Sequence, residues 1–249
     1  MTGSNTFSFK RFTIDHGDCA MKVGTDGVLL GAWCRVESQD EALLDIGTGS
    51  GVIALQLAQR TDSSGASIDA IEIDEGACRA AARNFEASDW SGRLHLYNAD
   101  VKDFARETAH ASQYDHIVSN PPYFIDSLTS PNVGRNTARH TVSLGYDDLV
   151  NCCVRLLKPS GRISLIVPAR AETDRMVAAA AERNLVLSRR TDVHSTPGSG
   201  PKRTLLEFLH SETIVTQCHT LSSLTIEGCG PGTFSDEYRA LTRDFYLYF

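Results

Sequence analysis

The chain has 249 residues, a formal net charge of −7, 41% hydrophobic and 22% charged residues. That balance excludes a disordered or fibrous chain and fits one α/β unit with terminal additions. The acidic total argues against indiscriminate nucleic-acid binding, so an RNA substrate requires a local basic patch on an acidic body.

The first ten residues carry no apolar run behind a basic start, and no later stretch reaches the roughly 20 apolar residues of a membrane span. A cytoplasmic protein without membrane contact is predicted. The seven cysteines are odd in number and form no C-x-x-C pair, and the eight histidines show no ligand spacing, which predicts reduced thiols and no metal. Three basic clusters are candidates for the patch: Lys10, Arg11 and Lys22; Arg135, Arg139 and His140; Arg189, Arg190, Lys202 and Arg203. Taken singly, each also reads as solvated surface charge.

After an N-terminal addition over residues 1–35, short apolar runs alternate with segments of helical period, the pattern of βαβ units and a mostly parallel sheet. Residues 42–46 read as a buried strand ending in a glycine turn, and 52–59 as a helix with one apolar face. A second strand at 67–73 leads to an Ala-rich helix through about residue 87. Strands at 94–97 and 116–119 each end in a polar residue, Asp100 just past the first and Asn120 just past the second. Ligands of open α/β sheets bind outside the carboxyl ends of the strands, so these positions matter. Asp115, before the fourth strand, reads as a surface or turn residue.

A helix over 146–157 is closed by Lys158-Pro159-Ser160-Gly161. A strand at 162–167 and a helix at 169–183 follow. The runs 186–193 and 204–209 have only a Gly/Pro loop between them and therefore pair antiparallel. In the tail, 220–249, one strand precedes a helix-like segment at 236–248, whose Tyr238, Leu241, Phe245 and Tyr248 read as a packing stripe. The expected fold is a Rossmann-like α/β domain: a single unit over 1–249, with its sheet and helices in 42–210.

The turn after the first strand is Asp45-Ile46-Gly47-Thr48-Gly49-Ser50-Gly51. Glycines there let the backbone turn sharply and let a ligand approach with no Cβ in the way. Roughly twenty residues on stands Glu72, where a ribose diol would be held, with Asp74 a rival for the role. Dinucleotide sites use G-x-G-x-x-G, whereas here Gly47, Gly49 and Gly51 are spaced one apart behind a carboxylate, which suits a ligand without pyrophosphate. Asp45 then lies near the cationic amino-acid end of S-adenosylmethionine, and Asp100 is placed to accept from its adenine amine.

The motif Asn120-Pro121-Pro122-Tyr123 closes the fourth strand. Consecutive prolines fix the backbone, remove two donors and leave carbonyl oxygens free to accept. With the Asn120 side-chain oxygen they offer two acceptors to the hydrogens of an NH2 group. An exocyclic amine is a poor nucleophile because its lone pair is delocalised. Gripping both hydrogens favours a pyramidal nitrogen aimed at the sulfonium methyl, a stabilisation realised in the transition state. Tyr123 can stack on the base and hold it in line. His16 and His140 lie near segments that border such a substrate.

At these residues the chain resembles the amino-methyltransferases with an N-P-P-Y signature. Residues 21–33, MKVGTDGVLLGAW, the glycine turn, and residues 240–247, ALTRDFYL, look like the bacterial tRNA1(Val) adenine-N6-methyltransferase family. The resemblance implies the class I methyltransferase plan, seven mostly parallel strands ending in an antiparallel hairpin. It implies S-adenosylmethionine as cofactor and the adenine 3′ of the anticodon as target. It implies cofactor contacts at the turn residues Asp45, Gly47, Thr48, Gly49 and Gly51, at Glu72 and Asp100, and along the stretch from Lys22 to Asp26. Asn120 through Tyr123 form the amine-gripping site, with Asn120 also bordering the cofactor.

The resemblance does not extend through 131–139 and 195–202, so it assigns no RNA contacts. Candidates for those remain Arg135, Arg139, His140, Lys202 and Arg203. The same signature fits a glutamine amide of peptide release factors and a guanine amine of ribosomal RNA. The chain lacks the long helical N-terminal domain of the release-factor enzymes, and the basic residues after Tyr123 favour tRNA. A non-enzymatic alternative, a degenerate cofactor-binding module that contacts RNA, conflicts with two intact motifs.

Overall fold

The computed structural model describes residues 5–17, 19, 22–122, 144–213, 220–230 and 232–249. In chain order the elements are β1 (Thr6–Ser8), β2 (Thr13–Asp15), α1 (Thr25–Trp33), β3 (Ala42–Ile46), α2 (Val52–Arg60), β4 (Ser67–Glu72), α3 (Glu75–Glu86), β5 (Leu94–Asn98) and α4 (Val101–Phe104). They continue with β6 (Tyr114–Ser119), α5 (Tyr146–Leu156), β7 (Leu157–Pro168), α6 (Ala171–Ala181), β8 (Leu185–His194), β9 (Pro201–His210), β10 (Thr220–Thr225) and α7 (Asp236–Thr242).

Strands β3 to β10 form one sheet in the order β10-β8-β9-β7-β6-β3-β4-β5, and β1 and β2 form a separate antiparallel pair. Because β8 and β9 have no helix between them, β9 runs antiparallel to both β7 and β8 while the other neighbours are parallel. This is the predicted mostly parallel sheet with an antiparallel hairpin. The strand count exceeds seven because β10 pairs in parallel with the outer side of β8. From β3 the chain proceeds to β4 and β5 on one side and later to β6 and β7 on the other. The topological switch therefore falls between β3 and β6, with Ile46 opposite Ser119 at their carboxyl ends.

Alternating side chains of the central strands feed two cores. On one face Leu43, Val118, Ile166 and Leu205 pack with α1, α2 and Phe85 of α3, and on the other Leu44, Ile117, Leu165 and Leu206 pack with α4, α5 and α6. Among the described residues no helix is long and apolar enough to cross a membrane.

Three local expectations change. The Lys158-Pro159-Ser160-Gly161 segment does follow a helix end but belongs to β7, as a bulge: Tyr114 pairs with Leu157 and His116 already with Arg162. Asp115 is no turn residue. It lies in β6 beside that bulge, accepts from the backbone of Glu41 and Ala42 at 3.0 Å each, and pairs with Lys158 Nζ at 2.8 Å, so the bulge presents a lysine to it. The tail helix, capped by Ser235, stops at Thr242. Beyond it the chain turns so that Phe245 is buried, while Tyr248 at 90% exposure leaves the stripe.

At the amino ends of the strands Arg162, 5% exposed, is held by Asp40, 3% exposed, with Nη1 to Oδ1 at 3.1 Å and Nη2 to Oδ2, and by the Arg35 carbonyl at 3.0 Å. Removing one partner of such a pair strands the other charge. Arg162→Ala is expected to cost about 3–5 kcal/mol in urea unfolding, by that reasoning.

Candidate cofactor and substrate site

The glycine turn consumes its own donors. Gly47 and Thr48 N–H both donate to the Ile71 carbonyl of β4 (2.9 and 3.0 Å), Gly49 N–H to Glu72 Oε2 (2.8 Å), and Gly51 N–H to the Thr48 carbonyl (2.9 Å). A phosphate cradle needs such N–H groups free, so this turn is built for a ligand of another kind.

Gly47 and Gly49 adopt φ of +72° and +57°, and a Cβ at either would meet nothing within 4 Å, leaving their outer side open to a ligand. Gly51 differs. At φ +91° it caps α2, and a Cβ there would lie 2.5 Å from Phe85 Cε1, so this glycine is required for packing of α3 against the turn.

Asp45 is fully buried at the end of β3. Its Oδ2 accepts from Thr48 Oγ1 at 2.6 Å and from Ala54 N–H at 3.2 Å, while its Oδ1 is buried without a partner. Burial pushes its carboxyl up to about 7, opposed by the bonds from Thr48 and Ala54 and reinforced by the charge of Glu72. A cation brought to this carboxylate would be met by an acceptor already desolvated.

Glu72 and Asp74 separate cleanly. Glu72 joins the turn, taking Gly49 N–H on one oxygen and Asp74 N–H at 2.9 Å on the other, which leaves lone pairs on both. Asp74 is the N-cap of α3 and accepts from Ala77 N–H at 2.8 Å. At the next tip Asn98 Nδ2 donates to the Glu72 carbonyl at 2.8 Å, tying β5 to β4. Asp100 then caps α4 by accepting Lys102 N–H at 2.8 Å, with its other oxygen 3.6 Å from Lys102 Nζ.

Asn120 follows β6 directly and is half-buried; Pro121 is buried and Pro122 exposed. Ser119 Oγ donates to the Ile46 carbonyl at 2.8 Å, which ties the tip of β6 to the start of the glycine turn. Asp45, Glu72, Asp100 and Asn120 thus stand at the carboxyl ends of four neighbouring strands. Tyr123, Arg135, Arg139 and His140 lie outside the described residues.

Among the described residues the basic clusters are largely spent inside the fold. Lys10 Nζ donates to the Arg243 and Phe249 carbonyls (2.5 and 3.1 Å), and Arg11 pairs with Asp62 at 2.9 Å and lies over Trp90. Arg189 stacks on Trp33 at 3.6 Å and faces Glu207, and Arg190 pairs with Asp192 at 3.0 Å. Arg203 pairs with Asp26 at 2.8 Å. Lys22 and Lys202 are exposed.

His16 is 4% exposed with Nδ1 unpartnered; burial, then the charge of Lys22, keep its pKa below the usual value. Among the described residues no group of three or more His, Cys, Asp or Glu is arranged to hold a metal ion. Sequence reasoning passed over Ser119, which carries no signal beyond closing a strand. It also passed over Asn84, whose only signal is a poor helix former inside α3.

The strand order and the glycine turn at the switch point define a methyltransferase fold. The same architecture is seen in the crystal structure of a predicted O-methyltransferase from Agrobacterium tumefaciens, with a TM-score of 0.66 and 20% identity, covering 88% of this chain and 96% of that one. Residues 29–189 match the family described as methyltransferase small domain. Over 241 residues the chain is 48% identical to a tRNA1(Val) (adenine(37)-N6)-methyltransferase of Phocaeicola vulgatus and 45% identical to one of Bacteroides fragilis, covering 97% of this chain and of each relative. The chain belongs to the methyltransferase small domain family and, within it, to the tRNA1(Val) (adenine(37)-N6)-methyltransferases.

The two kinds of glycine give a test. Gly49→Ala carries only the left-handed backbone cost of about 1–2 kcal/mol. Gly51→Ala adds a clash with Phe85 and is expected to lower the melting temperature clearly more; equal losses would contradict the packing role assigned to Gly51.

Proposed function

We propose that this protein methylates the exocyclic N6 of the adenine 3′ of the anticodon in tRNA1(Val), with S-adenosylmethionine as donor. One observation carries the reading: the glycine turn after β3 and Asn120 after β6 are neighbours at the switch point, their strands joined by the Ser119–Ile46 hydrogen bond. A tRNA substrate puts the reaction in the cytoplasm.

The residues present fit the cofactor. The unpartnered Asp45 Oδ1 suits its cationic amino-acid end, the open sides of Gly47 and Gly49 admit it, and Glu72 has lone pairs left for a ribose diol. Thr48 acts through Asp45, whose orientation it fixes. Gly51 shapes the turn, Asp100 is the acceptor for the adenine amine, and Ile73, 56% exposed beside Glu72, offers that ring an apolar surface. Lys22 stands toward the methionine end. Bound there, S-adenosylmethionine supplies a methyl group on a positively charged sulfur.

The protein's own part is to make a flat nitrogen nucleophilic. The Asn120 side-chain oxygen and the Pro121 carbonyl accept the two amine hydrogens. This draws the lone pair out of conjugation and orients it toward the donor, while Tyr123 stacks on the base. Once methylated the nitrogen is acidic enough to lose its proton to water, so no strong base is needed. Arg135, Arg139, His140, Lys202 and Arg203 are proposed to meet the RNA.

Asn120→Ala is expected to lower kcat by about 10²–10³, the usual cost of losing one preorganised transition-state partner, with little change in S-adenosylhomocysteine affinity. The assay is transfer of labelled methyl to unmodified tRNA, read by nucleoside mass spectrometry. Label in a release factor in place of tRNA would refute the substrate.

A pH dependence follows from Asp45. Its value of about 7 in the folded protein lies above the unfolded one, so its neutral form contributes stability that is full below the unfolded value and is lost as pH rises through 7. A cationic ligand acts oppositely and favours the carboxylate. Cofactor affinity should therefore fall as pH drops below 7, with proton release on binding seen by calorimetry in buffers of different ionisation enthalpy. Asp45→Asn should remove the release.

A further inference from the structure

Asn84, on α3 and 4% exposed, uses its whole side-chain amide on two distant segments. Its Oδ1 accepts from Asp15 N–H at 2.9 Å, and its Nδ2 donates to the Asp15 carbonyl at 3.0 Å and to the Ser50 carbonyl at 2.8 Å. One residue thus clamps the end of β2 to the glycine turn. Its neighbour Arg83 lies over Gly17, where φ is +49° and a Cβ would fall 1.9 Å from Arg83 Nη2.

A second fixed point lies eleven residues beyond Asp15. Asp26, in the first turn of α1, pairs with Arg203 at 2.8 Å, and Arg203 stands opposite Pro168 at the carboxyl end of β7. In the sheet, β9 is separated from β3 by β7 and β6, three inter-strand gaps or about 14 Å. Asp15 is thereby fixed beside the tip of β3, and Asp26 beside the tips of β7 and β9, on either side of β6, after which Asn120 stands. His16, next to Asp15, keeps Nδ1 buried without a partner, a cost that packing alone gives no reason to carry.

We propose that Asn84 is a positioning residue for cofactor binding: by clamping Asp15 to Ser50 it fixes the glycine turn against the end of β2 in the arrangement the cofactor needs. It touches no reacting atom. The proposal rests on the cofactor reading given above and adds a residue that acts through the glycine turn.

The test is S-adenosylhomocysteine binding to the full chain by calorimetry. Asn84→Ala removes all three bonds; Asn84→Asp keeps the volume and the acceptor for Asp15 N–H but opposes an oxygen to two carbonyls. Both are expected to raise Kd at least 10-fold, with unchanged stoichiometry, an unchanged KM for tRNA and kcat at saturating cofactor within about threefold. Amide exchange over residues 13–17 should accelerate while β3 to β7 remain protected.

A merely structural role would lower the melting temperature or the bound fraction and leave Kd where it was, and that result in either folded variant overturns the proposal alone. Failure of the wild-type protein to bind S-adenosylhomocysteine overturns the cofactor reading and the proposal with it.

Discussion

Everything at this site depends on a constraint of chain connectivity. A sheet that starts at its centre and is wound first one way and then the other leaves two strands whose following chains depart in opposite directions, and a crevice opens between their carboxyl ends. Here those strands are β3 and β6. The turn after β3 carries glycines and a carboxylate, and the turn after β6 carries an amide and two prolines. Two turns encoded about seventy residues apart become neighbours because of winding direction, and the Ser119–Ile46 hydrogen bond ties their strands together.

The glycine turn is stiff because it is internally satisfied. With its N–H groups committed to Ile71, Glu72 and Thr48, it offers a ligand mainly acceptors and open backbone. A pyrophosphate would find few donors in the turn, whereas the ligand proposed above, with a positive end and a hydroxylated ring, would meet Asp45 and Glu72. Burial of Asp45 sharpens this preference. A desolvated carboxyl near neutrality gains more from an approaching cation than an exposed carboxylate already screened by water.

The parts legible in the sequence are those governed by local rules. Buried apolar runs gave the strands, and glycine spacing and the Pro-Pro pair gave the two turns. What the sequence hid depends on partners distant in the chain. Glu72 and Asp74 are both acidic and two residues apart; only the fold shows that one caps a helix and the other holds the turn. The bulge at Lys158 needs Asp115 across the sheet to explain it, and β10 depends on a strand edge that no local pattern announces. Asn84 was invisible because its two clients, Asp15 and Ser50, lie on other elements.

The basic residues carry the largest difference, and it bears on how an acidic protein handles RNA. Arg189 on Trp33, Arg190 beside Asp192 and Lys10 on two tail carbonyls serve cohesion, so their charges add little to any field outside the molecule. With a net charge of −7 the surface offers no broad attraction for a polyanion. Phosphate contacts that release counterions drive binding without regard to sequence. Any phosphate contacts must therefore come from a local patch such as the residues proposed above, with the base held in the crevice adding the recognition that phosphates cannot give.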